Sequence, residues 1–113
     1  MSGKYNRQKG NQFERDLVNM LKKIGYDCTT SRYSSRELDD ACVDICFKDG
    51  SPFNIQAKFY KNAPNLHKEL KKLPEDSKYN FIAHKRPRQG TIVAMDIEDW
   101  LQILEILRTE KIL

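Results

Sequence analysis

The chain has 113 residues, of which 39% are apolar, so it can bury one hydrophobic core but is too short for two. Twenty lysines and arginines stand against sixteen acids, and the net charge of +4 is too small to indicate nucleic-acid binding by itself. No apolar run approaches the roughly 18 residues of a membrane span, and the polar N-terminus lacks the apolar core of a signal peptide. We therefore expect a single domain, residues 1–113, in the cytoplasm and outside any membrane.

The cysteines and histidines do not form a metal or disulfide pattern. Cys28, Cys42 and Cys46 give neither an even set nor a CxxC pair, and His67 and His84 are isolated from them. We expect reduced thiols, no structural zinc, and histidines that are structural or exposed.

The first elements are a basic segment and a helix. Residues 1–10 carry cations and no acid, so we expect a short basic arm with the freedom to move. Asn11 is a candidate N-cap, and Gly25 stands where a helix C-terminal glycine belongs. Apolar residues recur between them at helical spacing: Phe13, Leu17, Met20, Leu21 and Ile24.

The middle of the chain reads as strands and one short helix. "YDCTTSRYSS" is rich in strand-forming residues, and the polar "SSRELDDA" after it predicts a mobile loop. "CVDICFKDGSPFNIQAKFY" alternates as two strands around a turn at residues 49–52. A short helix follows, with an apolar row that ends at a proline: Leu66, Leu70, Leu73 and then Pro74.

The last third predicts two more strands and a final helix. "YNFIAHK" and "TIVAMDI" alternate around the basic loop "RPRQG", and Asp96 is a candidate N-cap. The apolar face of the final helix predicts core packing and consists of Ile97, Trp100, Leu101, Leu104 and Leu107. The order αβββαββα therefore predicts an α/β domain with a mixed β-sheet flanked by helices.

We consider a register in which the two strands of the central hairpin pair antiparallel about Gly50, so that the numbers of directly opposed residues add to 100. This register would bring three polar residues together. Asp44 then lies opposite Gln56, and Lys58 shares their face because it is two residues further on. A register slip of one residue would move Asp44 to the other face. On residue pattern alone, a solvated face with an ordinary Asp44–Lys58 pair is equally compatible.

These residues resemble a known nuclease motif. Asp44, eleven intervening residues and then Gln56-Ala57-Lys58, preceded by a helix with "KGNQFERDL", are similar to the PD-(D/E)xK nuclease superfamily. Within it the chain most resembles archaeal-type Holliday junction resolvases, across residues 9–60 and, by element order, to the strand at 79–85. The resemblance implies a restriction-endonuclease-like fold with an αβββαβ core.

The resemblance also implies roles for four residues. Glu14 would be the helix acid, Asp44 the metal-binding aspartate, Gln56 a variable ligand and Lys58 the catalytic lysine. Gln56 replaces the usual acid, which weakens metal binding, although a QxK motif is similar to that of Mrr-like nucleases. Val43 replaces a proline that often precedes the aspartate. The implied cofactor is Mg²⁺, for which Mn²⁺ can substitute, with Glu14, Asp44 and Gln56 as its ligands.

Two of these assignments have simpler alternatives. Asn11 and Glu14 have the spacing of a capping box, so Glu14 can serve the helix start alone. Asp39 and Asp40 lie close to the hairpin, and either replaces Asp44 as a ligand if the register is wrong. We rank both below Asp44.

Three basic clusters are candidates for contact with DNA phosphates. They are the N-terminal arm, the polar segment after the first strand and the loop before the last strand. Their candidate residues are Lys4, Arg7, Lys9, Arg32, Ser34, Ser35, Arg36, Lys85, Arg86 and Arg88. A solvated loop explains the cluster around Arg32 equally well, and charge runs like the other two are usually solvated surface.

The resemblance implies a metal-dependent, structure-selective DNA endonuclease, namely a Holliday junction resolvase that hydrolyses phosphodiester bonds. It also implies a homodimer, because a four-way junction with two-fold symmetry needs two matched cuts. The compact chain suggests a phage or mobile-element source, hence a bacterial or host cytoplasm. Three alternatives remain open. The first is an Mrr-like restriction or nicking nuclease, the second is a catalytically inactive DNA-binding module, for which Gln56 is the motivating feature, and the third is a protein-interaction domain without nucleic-acid affinity.

Overall fold

The structure is a computed structural model that describes residues 3–48, 50–60 and 65–113. Asp49, in the predicted turn, lies outside the described residues, as does the side chain of Lys4. No described helix is long and apolar enough to cross a membrane. The elements are α1 (Gly3–Lys23), β1 (Cys28–Thr30), α2 (Ser31–Ser34), α3 (Arg36–Asp40), β2 (Ile45–Phe47), β3 (Phe53–Phe59), α4 (Leu66–Lys71), β4 (Tyr79–Lys85), β5 (Thr91–Met95) and α5 (Ile97–Thr109).

Helix α1 starts earlier than the sequence predicts. It begins at Gly3, so the backbone of residues 3–10, expected as an arm, is helical. The prediction that Asn11 is the N-cap was wrong, because Asn11 lies inside the helix. The predicted end is confirmed: Gly25 has a φ of +106° and its N–H donates to the carbonyl oxygen of Lys22 at 3.0 Å.

Two short helices follow the first strand: α2 lies in the stretch predicted as a strand, and α3 lies in the stretch predicted as a loop. Strand β1 is only three residues long, and α2 and α3 follow it. The Oγ of Ser35 accepts a hydrogen bond from the N–H of Leu38 at 3.2 Å, which caps α3. Ser31 is buried, and its N–H donates to the carbonyl oxygen of Asp44 at 2.9 Å. The bond from Ser31 holds the segment against Asp44, the residue that precedes β2.

The strands form two small sheets. Strands β1 and β2 pair antiparallel, while β3, β4 and β5 lie in that order with β3–β4 parallel and β4–β5 antiparallel. The predicted β2–β3 ladder was wrong, since none joins these strands in the described part of the chain. The N–H of Asp44 donates to the carbonyl oxygen of Ile55 at 2.8 Å, but the next donor, the N–H of Ala57, is taken by the Asp44 carboxylate. The side chain therefore replaces a ladder carbonyl.

Helices cover the three-stranded sheet and confirm the predicted α/β class. Helix α1 packs on one face, and α3 and α4 pack on the other. The first core cluster contains Phe13, Leu17, Val18, Cys28, Ile45, Ile55 and Ala83. The second contains Val43, Leu73 and Ile82, with Leu38, Leu66 and Leu70 packed against it.

Helix α5 does not join this core. Its predicted cap is confirmed, because the Asp96 carboxylate accepts from the N–H of Glu98 at 2.9 Å. The prediction of core packing was wrong, since no α5 side chain is buried against the described residues and Trp100 is 47% exposed. The neighbouring strand β5 also exposes Ile92 and Val93. Apolar side chains of α5 and on both faces of β5 are therefore uncovered.

Candidate active site

Asp44 is fixed by its own backbone and by its carboxylate. Its N–H is bound to Ile55, as described above, and its Oδ2 accepts from the N–H of Ala57 at 2.7 Å. Burial raises the pKa of Asp44 to about 6, against the opposing effects of the Ala57 hydrogen bond and the charge of Lys58. The carboxyl of Asp44 is therefore held in one position, and its ionised form is disfavoured by burial in the free protein.

Glu14 is a buried acid that interacts electrostatically with the partly buried Asp44. It lies on α1 and is 7% exposed. Burial, followed by the negative charge of Asp44, raises the pKa of Glu14 to about 7, although Arg32 opposes this rise. The guanidinium of Arg32 donates to the Glu14 carboxylate and to the side-chain oxygen of Asn11. Capping the helix start does not explain Glu14, because the helix begins well before it.

Gln56 presents an amide oxygen with an unused hydrogen-bonding capacity. The residue is 4% exposed, which excludes a solvated position. Its Oε1 is buried and has no hydrogen-bond partner among the described residues. An unpaired buried acceptor costs free energy, so it either reflects strain or awaits a partner. An oxygen-seeking cation is such a partner.

Lys58 lies two residues along the same strand and is held from the side of α4. Its Nζ is 3.4 Å from Oε2 of Glu69 and 5.6 Å from the centre of the Tyr60 ring. Burial lowers the pKa of Lys58, but Tyr60 and Glu69 outweigh it, so the pKa is raised. Lys58 also lowers the pKa of Asp44, so its positive charge is felt there. The ammonium therefore stays charged.

Glu69 was not predicted from the sequence. It lies on α4 with its side chain 12% exposed, and its Oε1 also pairs with Lys72 at 3.2 Å. The sequence does contain a signal, because Glu69 follows Leu66 by three residues and precedes Leu70 on the face that α4 buries. An acid in an apolar row indicates a buried partner.

His84 lines the same region as a buried side chain. It is the register partner of Lys58 on the parallel strand β4 and is 5% exposed. Burial, followed by the charge of Arg86, lowers the pKa of His84. Its Nε2 has no hydrogen-bond partner among the described residues. Of the two expectations for His84, a structural role or an exposed position, this burial is consistent with the first.

The candidate DNA-contacting residues fall into two groups. Arg32 and Ser35 are used inside the protein, by Glu14 and by the start of α3 respectively. Ser34 is exposed, with its Oγ 2.6 Å from the Oγ1 of Thr29. The other described candidates are at least partly exposed: Arg7, Lys9, Arg36, Lys85, Arg86 and Arg88.

The two alternative aspartates lie on α3. Asp39 is exposed, and its charge contributes to the raised pKa values of Glu14 and Asp44. The side chain of Asp40 is 72% exposed, and its Oδ2 lies 3.8 Å from Nε of Arg36. Asp44 is thus the more buried and better-fixed acid of the three.

The donor set fits a divalent cation that keeps several of its waters. Among the described residues, no three His, Cys, Asp or Glu side chains cluster closely enough to form a complete metal cage. Two repelling carboxyls with raised pKa values and an unpaired amide oxygen are instead suited to a hard cation. Gln56 is uncharged, so the site attracts a cation less strongly than three acids would.

Comparisons with known proteins identify the architecture. No protein-family model matches the sequence, and no curated protein matches it significantly. Among solved structures, the chain is similar to Hjc of Archaeoglobus fulgidus, a Holliday junction resolvase from an archaeal hyperthermophile. The two share 25% sequence identity and a TM-score of 0.55 over 77% of this chain and 72% of that chain. This chain has the Hjc nuclease fold. The similarity is consistent with the PD-(D/E)xK superfamily and supports a nuclease role.

Proposed function

We propose that this protein is a metal-dependent endonuclease that cuts DNA at four-way junctions, as a Holliday junction resolvase. The observation that carries the proposal is the pair of interacting acids with raised pKa values, buried Glu14 and partly buried Asp44, with the charge of Lys58 acting on Asp44, in a chain of the Hjc nuclease fold. Buried groups with raised pKa values are common at functional sites and costly elsewhere.

Each of the four residues has a distinct role in this proposal. Asp44 and Glu14 supply anionic oxygens for a divalent cation, and Gln56 supplies its unpaired Oε1. When bound, the cation would offset negative charge on the scissile phosphate and lower the pKa of water. Lys58 donates hydrogen bonds from its ammonium to the phosphate or to the attacking water, and it stabilises the negative charge that develops during hydrolysis.

Contact with DNA away from this site is proposed for the exposed cations of the loop between β4 and β5 and of the α1 N-terminus. Arg86 and Arg88 are exposed in that loop, and Arg7 is exposed on α1. Such side chains hold phosphates without reading base sequence. This suits an enzyme that selects DNA by shape.

We further propose that the protein acts as a homodimer whose interface is the uncovered surface of β5 and α5. A second copy is the expected partner because a two-fold symmetric junction requires two sites. Exposed apolar side chains in such number commonly mark an interaction site. Those of β5 and α5 include Ile92, Val93, Ile97, Trp100, Leu101 and Leu104, with Ile92 and Val93 on opposite faces of β5. Trp100→Asp should convert the dimer to a monomer in size-exclusion chromatography with light scattering, and a monomeric wild-type chain would contradict this assignment.

The function is tested with labelled four-way junction and linear duplex of matched sequence, each incubated with Mg²⁺, Mn²⁺ or EDTA. A junction resolvase makes paired, symmetric nicks in the junction only, and EDTA abolishes them. Equal cutting of the linear duplex would instead indicate an Mrr-like nuclease. Binding without cleavage in either metal would indicate an inactive DNA-binding module.

A further inference from the structure

The catalytic candidate Lys58 has a partner on another element. Its ammonium lies 3.4 Å from Oε2 of Glu69, which projects from α4 onto the face of β3 that carries Lys58. Both side chains are mostly buried, with exposed fractions of 20% and 12%. An ion pair in this setting is screened less than a surface pair, so it can hold a flexible side chain in one place.

Glu69 is itself firmly positioned. Its Oε1 lies 3.2 Å from Nζ of Lys72, one turn along α4. The helix is capped by Asn65, whose side chain accepts from the N–H of Lys68 at 3.1 Å, and its Leu70 packs against the second core cluster. The carboxylate is therefore carried by a helix whose start and inner face are both fixed.

A lysine needs such an anchor to act as a hydrogen-bond donor. Its four-carbon stem is flexible, and the rotamer entropy of the stem must be lost before the ammonium can meet a phosphate in one geometry. Tyr60 limits the ammonium on one side, with its ring centre 5.6 Å away. Glu69 limits it on another, because its carboxylate lies within ion-pair distance of the Lys58 Nζ.

We infer that Glu69 is a positioning residue that holds the Lys58 ammonium at the cleavage site before DNA arrives. This inference deepens the proposed function and rests on it, because the proposed function assigns Lys58 its catalytic role. Glu69 itself makes no contact with DNA. Its contribution is to reduce the number of conformations that Lys58 samples, which reduces the entropic cost of reaching the transition state.

Glu69→Gln is the test, because it removes the charge while keeping the shape and an acceptor oxygen. In single-turnover cleavage of a junction, we expect the rate constant to fall about ten-fold or more, with junction affinity changed less than about two-fold. Glu69→Asp, which keeps the charge on a shorter stem, should recover part of the rate. Glu75→Gln removes the same charge from an exposed position and should leave the rate at the wild-type value.

A second readout does not depend on activity. NMR relaxation of the Lys58 side-chain methylenes, in the protein without DNA, should report a rigid stem in the wild type and a mobile one in Glu69→Gln. A cleavage rate constant equal to that of the wild type in Glu69→Gln would overturn the inference, and so would a Lys58 side chain that is as rigid in Glu69→Gln as in the wild type. If the wild type cuts no DNA, the proposed function fails, and the NMR comparison still decides whether Glu69 positions Lys58. Thermal unfolding of each variant checks that the fold is retained.

Discussion

Asp44→Asn should make the protein more stable at neutral pH although it removes a proposed catalytic group. The pKa of Asp44 is raised from 3.8 to about 6, so the folded state holds the proton more tightly than the unfolded state. The free energy of unfolding therefore falls as the pH rises from about 3.8 through about 6. At about 1.4 kcal/mol for each pH unit, the full loss above pH 6 is about 3 kcal/mol. Asparagine cannot ionise, and its oxygen can still accept from Ala57.

The assay is urea denaturation followed by circular dichroism, in EDTA, at pH 8 and at pH 5. We expect Asp44→Asn to raise the free energy of unfolding by about 2 to 3 kcal/mol at pH 8 and by roughly half as much at pH 5. Asp40→Asn, at an exposed carboxylate, should change it by less than about 0.5 kcal/mol at either pH. A gain at pH 8 no larger than that of the control, or a gain independent of pH, would show that burial does not raise the pKa of Asp44.

Three other outcomes follow from the same site. Glu14→Gln should also stabilise the protein at pH 8 in EDTA, but its gain should shrink when measured in the Asp44→Asn background, since the charge of Asp44 contributes to the raised pKa of Glu14. Mg²⁺ at ten times its Kd should raise the free energy of unfolding of the wild type by about 1.4 kcal/mol, measured by thermal unfolding at pH 8, and should not raise that of Asp44→Asn. An equal effect on both proteins would argue against Asp44 as a ligand. Replacing Arg86 and Arg88 by glutamine should reduce the salt dependence of junction binding. The slope of log K against log salt should become smaller by about 0.9 for each phosphate that the loop no longer neutralises. An unchanged slope would show that this loop does not contact DNA phosphates.

The elements with clear periodicity could be predicted from the sequence. Helix α4, strands β4 and β5, and the start of α5 at Asp96 agree with the predictions, because each combines a repeating apolar row with a cap or a breaker. The start of α1 could not be located, because residues 3–10 form an extension without an apolar row. The packing of α5 was also misjudged, since periodicity reveals an apolar face and not what covers it.

The grouping of the candidate site residues was predicted for reasons that were partly incorrect. Asp44, Gln56 and Lys58 were expected to meet through a regular hairpin ladder, yet Asp44 reaches Ala57 with its side chain and interrupts that ladder. Burial of Gln56 was not predicted, because a glutamine among alternating residues is normally solvated. Glu69 was missed because no local pattern connects a helix acid to a strand lysine eleven residues earlier. Only the packing of α4 beside β3 brings them together.

The central claim is that Asp44 and Lys58 perform phosphodiester hydrolysis in this fold. It is tested most directly by measuring junction binding and single-turnover junction cleavage in Mg²⁺ for the wild type, Asp44→Asn and Lys58→Met. We predict that the wild type cleaves, and that both variants bind the junction within a few-fold of wild-type affinity but do not cleave it. Cleavage that persists in either variant, or its absence in the wild type, would contradict the claim.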